Sequence, residues 1–378
     1  MPPPQLFSKI RAMKLRRCTI ENFKKFGPPG IELDFQNKAI EEVADRYLIL
    51  GDNASGKTTI LQGIALTLSL AQRKIHDVQQ FTWTGWAADR LFVHGPPVIE
   101  LEVEFVDDEI VATREAARLW WNATRSPQSP GFREPGDDHV VKLRLEGAQV
   151  RTPDSGSALL QFRGRSYVAE IAKIDPQARA LFPRLPGVFW YDQFRNIALS
   201  GAREPDDGGL VSDPSLPFVV GVGRLDKILK AWHRVRKQKG PHPVVDFLGD
   251  LERLYGKAFP GRTFAGVEPI FGSGPTPTDD RFVMSDGKHT YTLGEMSAGE
   301  QAIFPLLFEF VRQQIHRSVV LIDEVDLNLH PPLAQMLLGL LPQLGTDNQF
   351  LFTTHSRVIA ALVSPHTVHR LPEGRPCL

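Results

Sequence analysis

Cysteine is nearly absent from this chain of 378 residues: there are two, Cys18 and Cys377, near opposite ends. That count and spacing argue against a disulfide framework or a cysteine zinc site, and they fit a reducing compartment. Net charge is missing too. Basic and acidic residues number 44 each, so no global field draws the protein to nucleic acid or anionic lipid, and any such contact must come from a local patch. No apolar run approaches the roughly 20 residues of a membrane span. Met1–Ile10 has prolines and a lysine but no long apolar stretch, so a signal peptide is not expected. No internal repeat and no sustained heptad pattern occurs. These absences lead to the expectation of a cytoplasmic protein without membrane contact.

What is present is an ordinary globular composition, 42% hydrophobic and 23% charged, with 30 prolines that call for many loops. Leu15 to Phe23 and Ile31 to Phe35 alternate polar and apolar residues around a Gly-Pro-Pro-Gly turn, which predicts a hairpin. Tyr47 to Leu50 is a short continuous apolar run, the mark of a buried parallel strand. A glycine-rich loop and a Leu/Ile/Ala-rich helix from Thr58 to Leu70 follow it. Residues 97–151 read as strand-like, with strands at Val98 to Val106 and His139 to Leu145. Gly187 to Asp192 reads as another apolar strand, Leu225 to Val235 and Val244 to Tyr255 as helices, and Gly272 to Asp280 as a linker. The end of the chain predicts helix Ala298 to Ile315, strand Ser318 to Ile322, helix Pro332 to Leu341 and strand Gln349 to Thr353.

Four short stretches carry chemistry. Gly51-Asp52-Asn53-Ala54-Ser55-Gly56-Lys57-Thr58 matches G-x-x-x-x-G-K-[ST] in full. Its backbone N–H groups and the helix start behind it suit phosphate, with Lys57 reaching the β and γ phosphates and Thr58 ligating Mg²⁺. Val319 to Ile322 is an apolar strand ending in Asp323 and Glu324, one placed to hold Mg²⁺ and the other to orient or deprotonate the attacking water. Met296-Ser297-Ala298-Gly299-Glu300-Gln301 begins a helix. Locally Ser297 and Glu300 form a capping box; functionally that helix start would face the γ-phosphate of a nucleotide held by another copy. His355 ends the last apolar strand, where it would hydrogen-bond the γ-phosphate.

Taken in order, GDNASGKT, MSAGEQ, VVLIDE and TTHS resemble the Walker A, signature, Walker B and switch-histidine motifs of ATP-binding-cassette (ABC) ATPases. The N-terminal KLRRCTIENFKKFG and the run Asp326 to Pro331 resemble the RecF/SMC-like and OLD-like branch of AAA-family ATPases more than transporter subunits. The signature departs from the transporter form, with Ala298 in place of its first glycine. The resemblance implies an α/β P-loop fold of ABC type: a mixed sheet core, an N-terminal antiparallel β-hairpin lobe and a helical insertion. The implied organisation is a tail over 1–13, an N-terminal ATPase lobe over 14–95, a β/helical insertion over 96–290 and a C-terminal ATPase lobe over 291–378.

It also implies the cofactors ATP and Mg²⁺ and a head-to-tail homodimer with ATP sandwiched between copies. ATP would touch Gly51, Asn53, Ala54, Ser55, Gly56, Lys57, Thr58 and Thr59 of one copy and Ser297, Gly299 and Glu300 of the other. Glu324, Lys57 and His355 would be catalytic, and Thr58, Asp323 and Gln193 would serve the metal. Gln193 is the candidate Q-loop glutamine, with Gln79 and Gln80 as rivals; Asp326 to His330 would be the D-loop. Too few residues follow His355 for the Toprim nuclease domain of OLD proteins, so a nuclease or other effector is expected as a separate chain.

Two basic stretches remain. One runs from Lys9 to Lys25. The other, Arg224 to Lys239, carries Arg224, Lys227, Lys230, Arg234, Arg236 and Lys237 around an amphipathic helix. Either is a DNA-phosphate patch or a solvated face. The functional expectation is an ATP-switched dimer controlling DNA or a partner effector, in prokaryotic antiphage defence or genome maintenance. A RecF-like DNA clamp stays open as the alternative, and a transporter subunit ranks last.

Overall fold

The computed structural model describes residues 12–125, 131–153, 156–192, 222–238, 245–271, 277–327 and 329–372. The chain first forms strands β1 (Lys14–Glu21) and β2 (Ile31–Asp34), a short ribbon of β3 (Gln36–Asn37) and β4 (Glu42–Val43), β5 (Arg46–Leu50) and helix α1 (Lys57–Ala71). Then come β6 (Val98–Glu104), α2 (Asp107–Thr124), β7 (Val140–Glu146), β8 (Gln149–Arg151), α3 (Gly156–Leu160), α4 (Gly164–Ile171) and β9 (Val188–Tyr191). Helices α5 (Val222–Lys237) and α6 (Phe247–Ala258) precede β10 (Thr263–Phe271), β11 (Pro277–Ser285), β12 (Thr290–Thr292) and α7 (Ala298–Arg312). The remaining elements are β13 (Val319–Ile322), α8 (Pro331–Leu340), β14 (Gln349–Thr354), α9 (Arg357–Ala360) and β15 (Val368–Arg370).

These elements separate into two compact units. The first holds residues 1–193, 315–325 and 345–378, and the second 194–314 and 326–344. In the first, β15-β5-β14-β13-β9 form a parallel sheet. Every residue of β13 and β14 is buried, which is why β13 reads as an unbroken apolar run and β14 has Phe350, Leu351 and Phe352 at its centre. A second sheet, β2-β1-β6-β7-β8, is antiparallel throughout. Its β7 alternates strictly between exposed and buried residues, as a sheet with one wet face must. Helix α1 packs on strands of both sheets. It is therefore apolar nearly all round.

The two sheets of this unit are tied by one buried amide. Gln349, at the start of β14, accepts from Leu15 N–H at 2.7 Å and donates to Leu15 O at 3.0 Å and Ala44 O at 3.2 Å. Its side chain is wholly buried, so each of those bonds replaces lost water.

The second unit packs α5 to α8 with the antiparallel sheet β10-β11-β12. Aromatic rings fill it. Trp232 lies nearly parallel to both Phe247 and Phe308, with ring centres 5.1 and 5.2 Å away. Phe304 meets Tyr255 edge-on at 5.5 Å.

The predicted hairpin, β5, α1, β9, α5, α6, α7, β13, α8 and β14 all form near their expected bounds. Two stretches differ. Helix α2 occupies part of the region read as strand-like. Its first turn carries Asp107, Asp108 and Glu109, and Ala112, Ala116 and Ala117 bury one face. Glu109 also reaches back to Val106 N–H at 3.3 Å. Strands β10 to β12 arise where no strand was expected, and β11 begins inside the proposed linker. Within the stretch 96–290, β6, β7 and β8 hydrogen-bond into the sheet begun by β1 and β2. Among the described residues, no helix is long and apolar enough to cross a membrane.

Replacing Gln349 by leucine keeps the volume but strands the Leu15 amide and two carbonyls. Urea unfolding of Gln349→Leu should show a stability loss of about 2–4 kcal/mol. An unchanged midpoint would mean the two sheets are held together without this amide.

Candidate functional site

The phosphate loop spans the gap between β5 and α1. Its curl needs left-handed backbone at Ala54 (φ 61°) and Gly56 (φ 103°). A Cβ at Gly56 would also lie 2.6 Å from the Phe26 ring, so only glycine fits there. The Lys25 ammonium donates to Ala54 O and holds the loop from the β1–β2 side. Lys57, the first residue of α1, is buried and folds its ammonium back over the loop, donating to Gly51 O at 2.9 Å and Asp52 O at 3.0 Å. Ser55 Oγ is buried in the same loop without a hydrogen-bond partner. Asn53 and Ala54 are exposed at the loop's tip, and Thr59 is half-buried on α1.

The acidic pair lies against this loop. Asp323 is fully buried, and its two oxygens are separately engaged: Oδ2 accepts from Thr58 Oγ1 and Oδ1 from Thr353 Oγ1, each at 2.7 Å. Burial pushes its carboxyl above the ordinary range, against the hydrogen bonds from Thr353 and Thr58. Glu324 follows in left-handed conformation, φ 46°. Its Oε1 lies 3.3 Å from the Lys57 ammonium and its Oε2 lies 2.9 Å from His355 Nδ1. His355 itself is half-exposed. Thus Lys57, Thr58, Asp323, Glu324 and His355, read as separate motifs in the sequence, are neighbours in the first unit.

These residues fit a magnesium-bound triphosphate. Thr58 and Asp323 are already in contact, an ammonium waits over the loop, and Ser55 Oγ lacks a partner where phosphate oxygens would lie. Among the described residues, no group of three or more His, Cys, Asp and Glu gathers as a metal cage. A cation held by one or two protein oxygens and by phosphates suits Mg²⁺.

In the second unit, Ser297 is the N-cap of α7 and its side chain is exposed. Its N–H and Oγ donate to Glu300 Oε2 at 2.9 and 2.7 Å. Glu300, expected to touch ATP, is instead buried, with Oε1 accepting from Tyr255 OH at 2.5 Å and Tyr291 OH at 2.9 Å. Arg262 Nε lies 3.5 Å from the same oxygen. Burial raises the Glu300 carboxyl, but the bonds from Tyr255, Ser297 and Tyr291 outweigh it and hold the group below its usual range. Glu300 therefore anchors Ser297, and its two oxygens are engaged within the second unit. Gly299 lies under Leu333 of α8.

Other expected positions fall as follows. Gln193 and Asn328 lie outside the described residues. The Gln80 side chain closes its own turn by accepting from His76 N–H at 2.7 Å, and Gln79 is exposed. On α5, Lys230 pairs with Asp226 at 2.9 Å and Asp280 at 3.0 Å; Arg234 pairs with Asp280 at 3.2 Å and Arg236 with Glu252 at 3.2 Å. Of the proposed DNA-facing residues, that leaves Arg224, Lys227 and Lys237 without an acidic partner among the described residues. In the N-terminal stretch, Lys14 pairs with Asp45 and Arg17 with Glu32, while Lys9 and Arg11 lie outside the described residues. Sequence reasoning missed Thr353, Tyr255, Tyr291, Arg262 and Lys25. Only Thr353 and Lys25 had a signal, lying inside the stretches TTHS and KLRRCTIENFKKFG but given no role there.

A parallel sheet with the phosphate loop after β5 and the acidic pair after β13 is the architecture of a P-loop nucleotide-binding fold. Residues 233–361 match the family model described as "AAA domain, putative AbiEii toxin, Type IV TA system". That match is a likeness over those residues, which hold the α7 start, the acidic pair and His355. Solved structures similar to it include an SMC head domain from Thermotoga maritima: 17% identity, 94% of each chain covered, TM-score 0.44. A Pyrococcus furiosus Smc head with an extended coiled coil, bound to the C-terminal domain of ScpA, shares 12% identity over 93% of this chain and 92% of that one, with TM-score 0.49. An SmcHead bound to the C-winged helix domain of ScpA shares 16% identity over 92% and 91%, with TM-score 0.44.

Removing the Glu300 carboxylate would leave Tyr255 OH and the Ser297 N–H without their acceptor. Glu300→Ala should lower stability by about 2–4 kcal/mol in denaturant unfolding, and Glu300→Gln by roughly half of that. A neutral Glu300→Ala would show that the tyrosines find water instead.

Proposed function

We propose that this chain hydrolyses Mg·ATP as a nucleotide-switched homodimer. ATP sits on the phosphate loop of one copy, Ser297 of a second copy completes the pocket, and hydrolysis lets the pair open. The reading rests above all on one observation, the contact of Lys57 and Thr58 with Glu324 and Asp323 at the end of the parallel sheet.

Each residue has a task its surroundings suit. Loop N–H groups and the Lys57 ammonium bind the β and γ phosphates, whose oxygens take the place that Glu324 Oε1 holds beside Lys57. Thr58 and Asp323 would hold Mg²⁺, which when bound neutralises charge developing on the phosphates. Glu324 accepts a proton from the attacking water through its carboxylate. His355, within hydrogen-bond reach of Glu324 Oε2, fixes that carboxylate's orientation. The exposed Ser297, at a helix N-terminus whose dipole favours anions, suits a γ-phosphate brought by another copy.

The output of the switch is a separate effector chain, a nuclease among the candidates, in prokaryotic antiphage defence or genome maintenance. The description of the matched family as a toxin of a TA system is in keeping with that setting. The RecF-like alternative needs cations free to grip DNA. The ion pairs of Lys230, Arg234 and Arg236 weigh against α5 as that grip.

Lys57→Ala should abolish ATP uptake in calorimetry. Glu324→Gln should still bind ATP, lose about 10²–10⁴-fold in kcat, and shift to dimer mass in light scattering when ATP is added. Hydrolysis by Glu324→Gln at the normal rate would remove Glu324 as the base. An ATP-dependent, salt-sensitive shift of duplex DNA by the protein alone would favour the clamp instead.

A further inference from the structure

Thr353 carries no phosphate-loop, acidic-pair or signature chemistry, yet it is fully buried at the end of β14, two residues before His355. Its hydroxyl makes two bonds. It donates to Asp323 Oδ1 at 2.7 Å and accepts from the Glu324 N–H at 2.8 Å. Its carbonyl accepts from Val325 N–H at 2.9 Å. One threonine therefore grips three successive residues of the neighbouring strand's end.

That grip falls where the chain is least able to hold itself. Glu324 has φ 46°, a left-handed backbone that a residue with a Cβ adopts only when its surroundings enforce it. The conformation turns the Glu324 side chain toward Lys57 and His355, while Asp323 keeps its Oδ2 on Thr58. A buried hydroxyl serving both neighbours sets the division between the two carboxylates.

We propose that Thr353 is a positioning residue for ATP hydrolysis, acting through its hydroxyl to orient Asp323 toward the metal and Glu324 toward the attacking water. The proposal rests on the reading of Asp323 and Glu324 given above. The Thr353 hydroxyl is fully buried and bonded to Asp323 and to the Glu324 N–H, so its effect falls on the carboxylates it holds. Outer partners of this kind typically change metal affinity or activity by about 10- to 100-fold.

Thr353→Val keeps the shape and removes the hydroxyl; Thr353→Ser keeps the hydroxyl. Two quantities are measured on the full chain: kcat, and the ATP affinity by calorimetry in EDTA and in Mg²⁺. The valine variant should bind ATP in EDTA as the wild type does, lose most of the affinity gained with Mg²⁺, and fall about 10- to 100-fold in kcat. The serine variant should recover both. A valine variant with wild-type kcat and wild-type Mg²⁺ response would overturn the proposal, as would a serine variant as impaired as valine. Should valine not fold, Thr353→Ala against Thr353→Ser gives the same contrast, since both lack the methyl group and differ in the hydroxyl. A wild-type protein that neither binds nor hydrolyses ATP would instead sink the ATPase reading, and this proposal with it.

Discussion

The parallel register of three buried strands is the constraint from which the site follows. Thr354 of β14 sits opposite Leu50 of β5, and Phe352 opposite Ile322 of β13. Gly51, Asp323 and His355 therefore leave the sheet at one edge, although the sequence separates them widely. Ligands in parallel α/β sheets bind at that carboxyl edge, where the chain stops pairing and polar groups emerge. Slipping β14 by one residue would turn Thr353 away from Asp323 and put Phe352 in its place. The buried Gln349 at the other end of β14 belongs to the same constraint, since its bonds to Leu15 and Ala44 resist such a slip.

How much of this was legible depends on the range over which each signal acts. The apolar runs of β5, β13 and β14 and the loop before α1 are set by neighbours in sequence, and they formed as expected. So did the helices with a clear apolar period. The misreadings have physical causes. Helix α2 sits between two true strands, and its short Ala-rich face carries less apolar weight than they do. Strands β10 to β12 mix proline, glycine and charge, so no alternation stood out. The α5 cations looked like a patch because sequence shows charge but not its counterion. Asp280, which takes up Lys230, lies 50 residues away. The same limit hid the Glu300 hub, whose tyrosines come from α6 and from β12.

That hub bears on how Ser297 is prepared. A serine at a helix start is common, and by itself a capping box is only a local economy of hydrogen bonds. Here the box is extended inward. The Glu300 carboxylate that receives Ser297 is also bonded by Tyr255 and Tyr291 and approached by Arg262. Each of those residues belongs to a different part of the second unit, so the orientation of the α7 N-terminus is fixed by the folding of that unit as a whole. In the proposed dimer, a helix start held this way would need little reordering to meet an anion, which would lower the entropy cost of completing the pocket.

Two adjacent carboxylates follow β13, and their surroundings differ in ways that suit the separate tasks proposed for them. Asp323 is fully buried with each oxygen already engaged by a threonine hydroxyl. A group so placed can hold a cation in a fixed direction, but it has no free path to a mobile water. Glu324 differs in each respect. It retains some exposure, reaches Lys57 with one oxygen and His355 with the other, and stands on a left-handed residue that aims it away from Asp323. In the proposed ATP-bound state Lys57 would give up its contact with Glu324 Oε1 for phosphate, while His355 stays on the other oxygen. On the proposed reading, a carboxylate oriented by His355 is the group that would take the proton from water. Asp323 is thus held rigidly while Glu324 keeps some exposure, and Thr353 hydrogen-bonds to both residues.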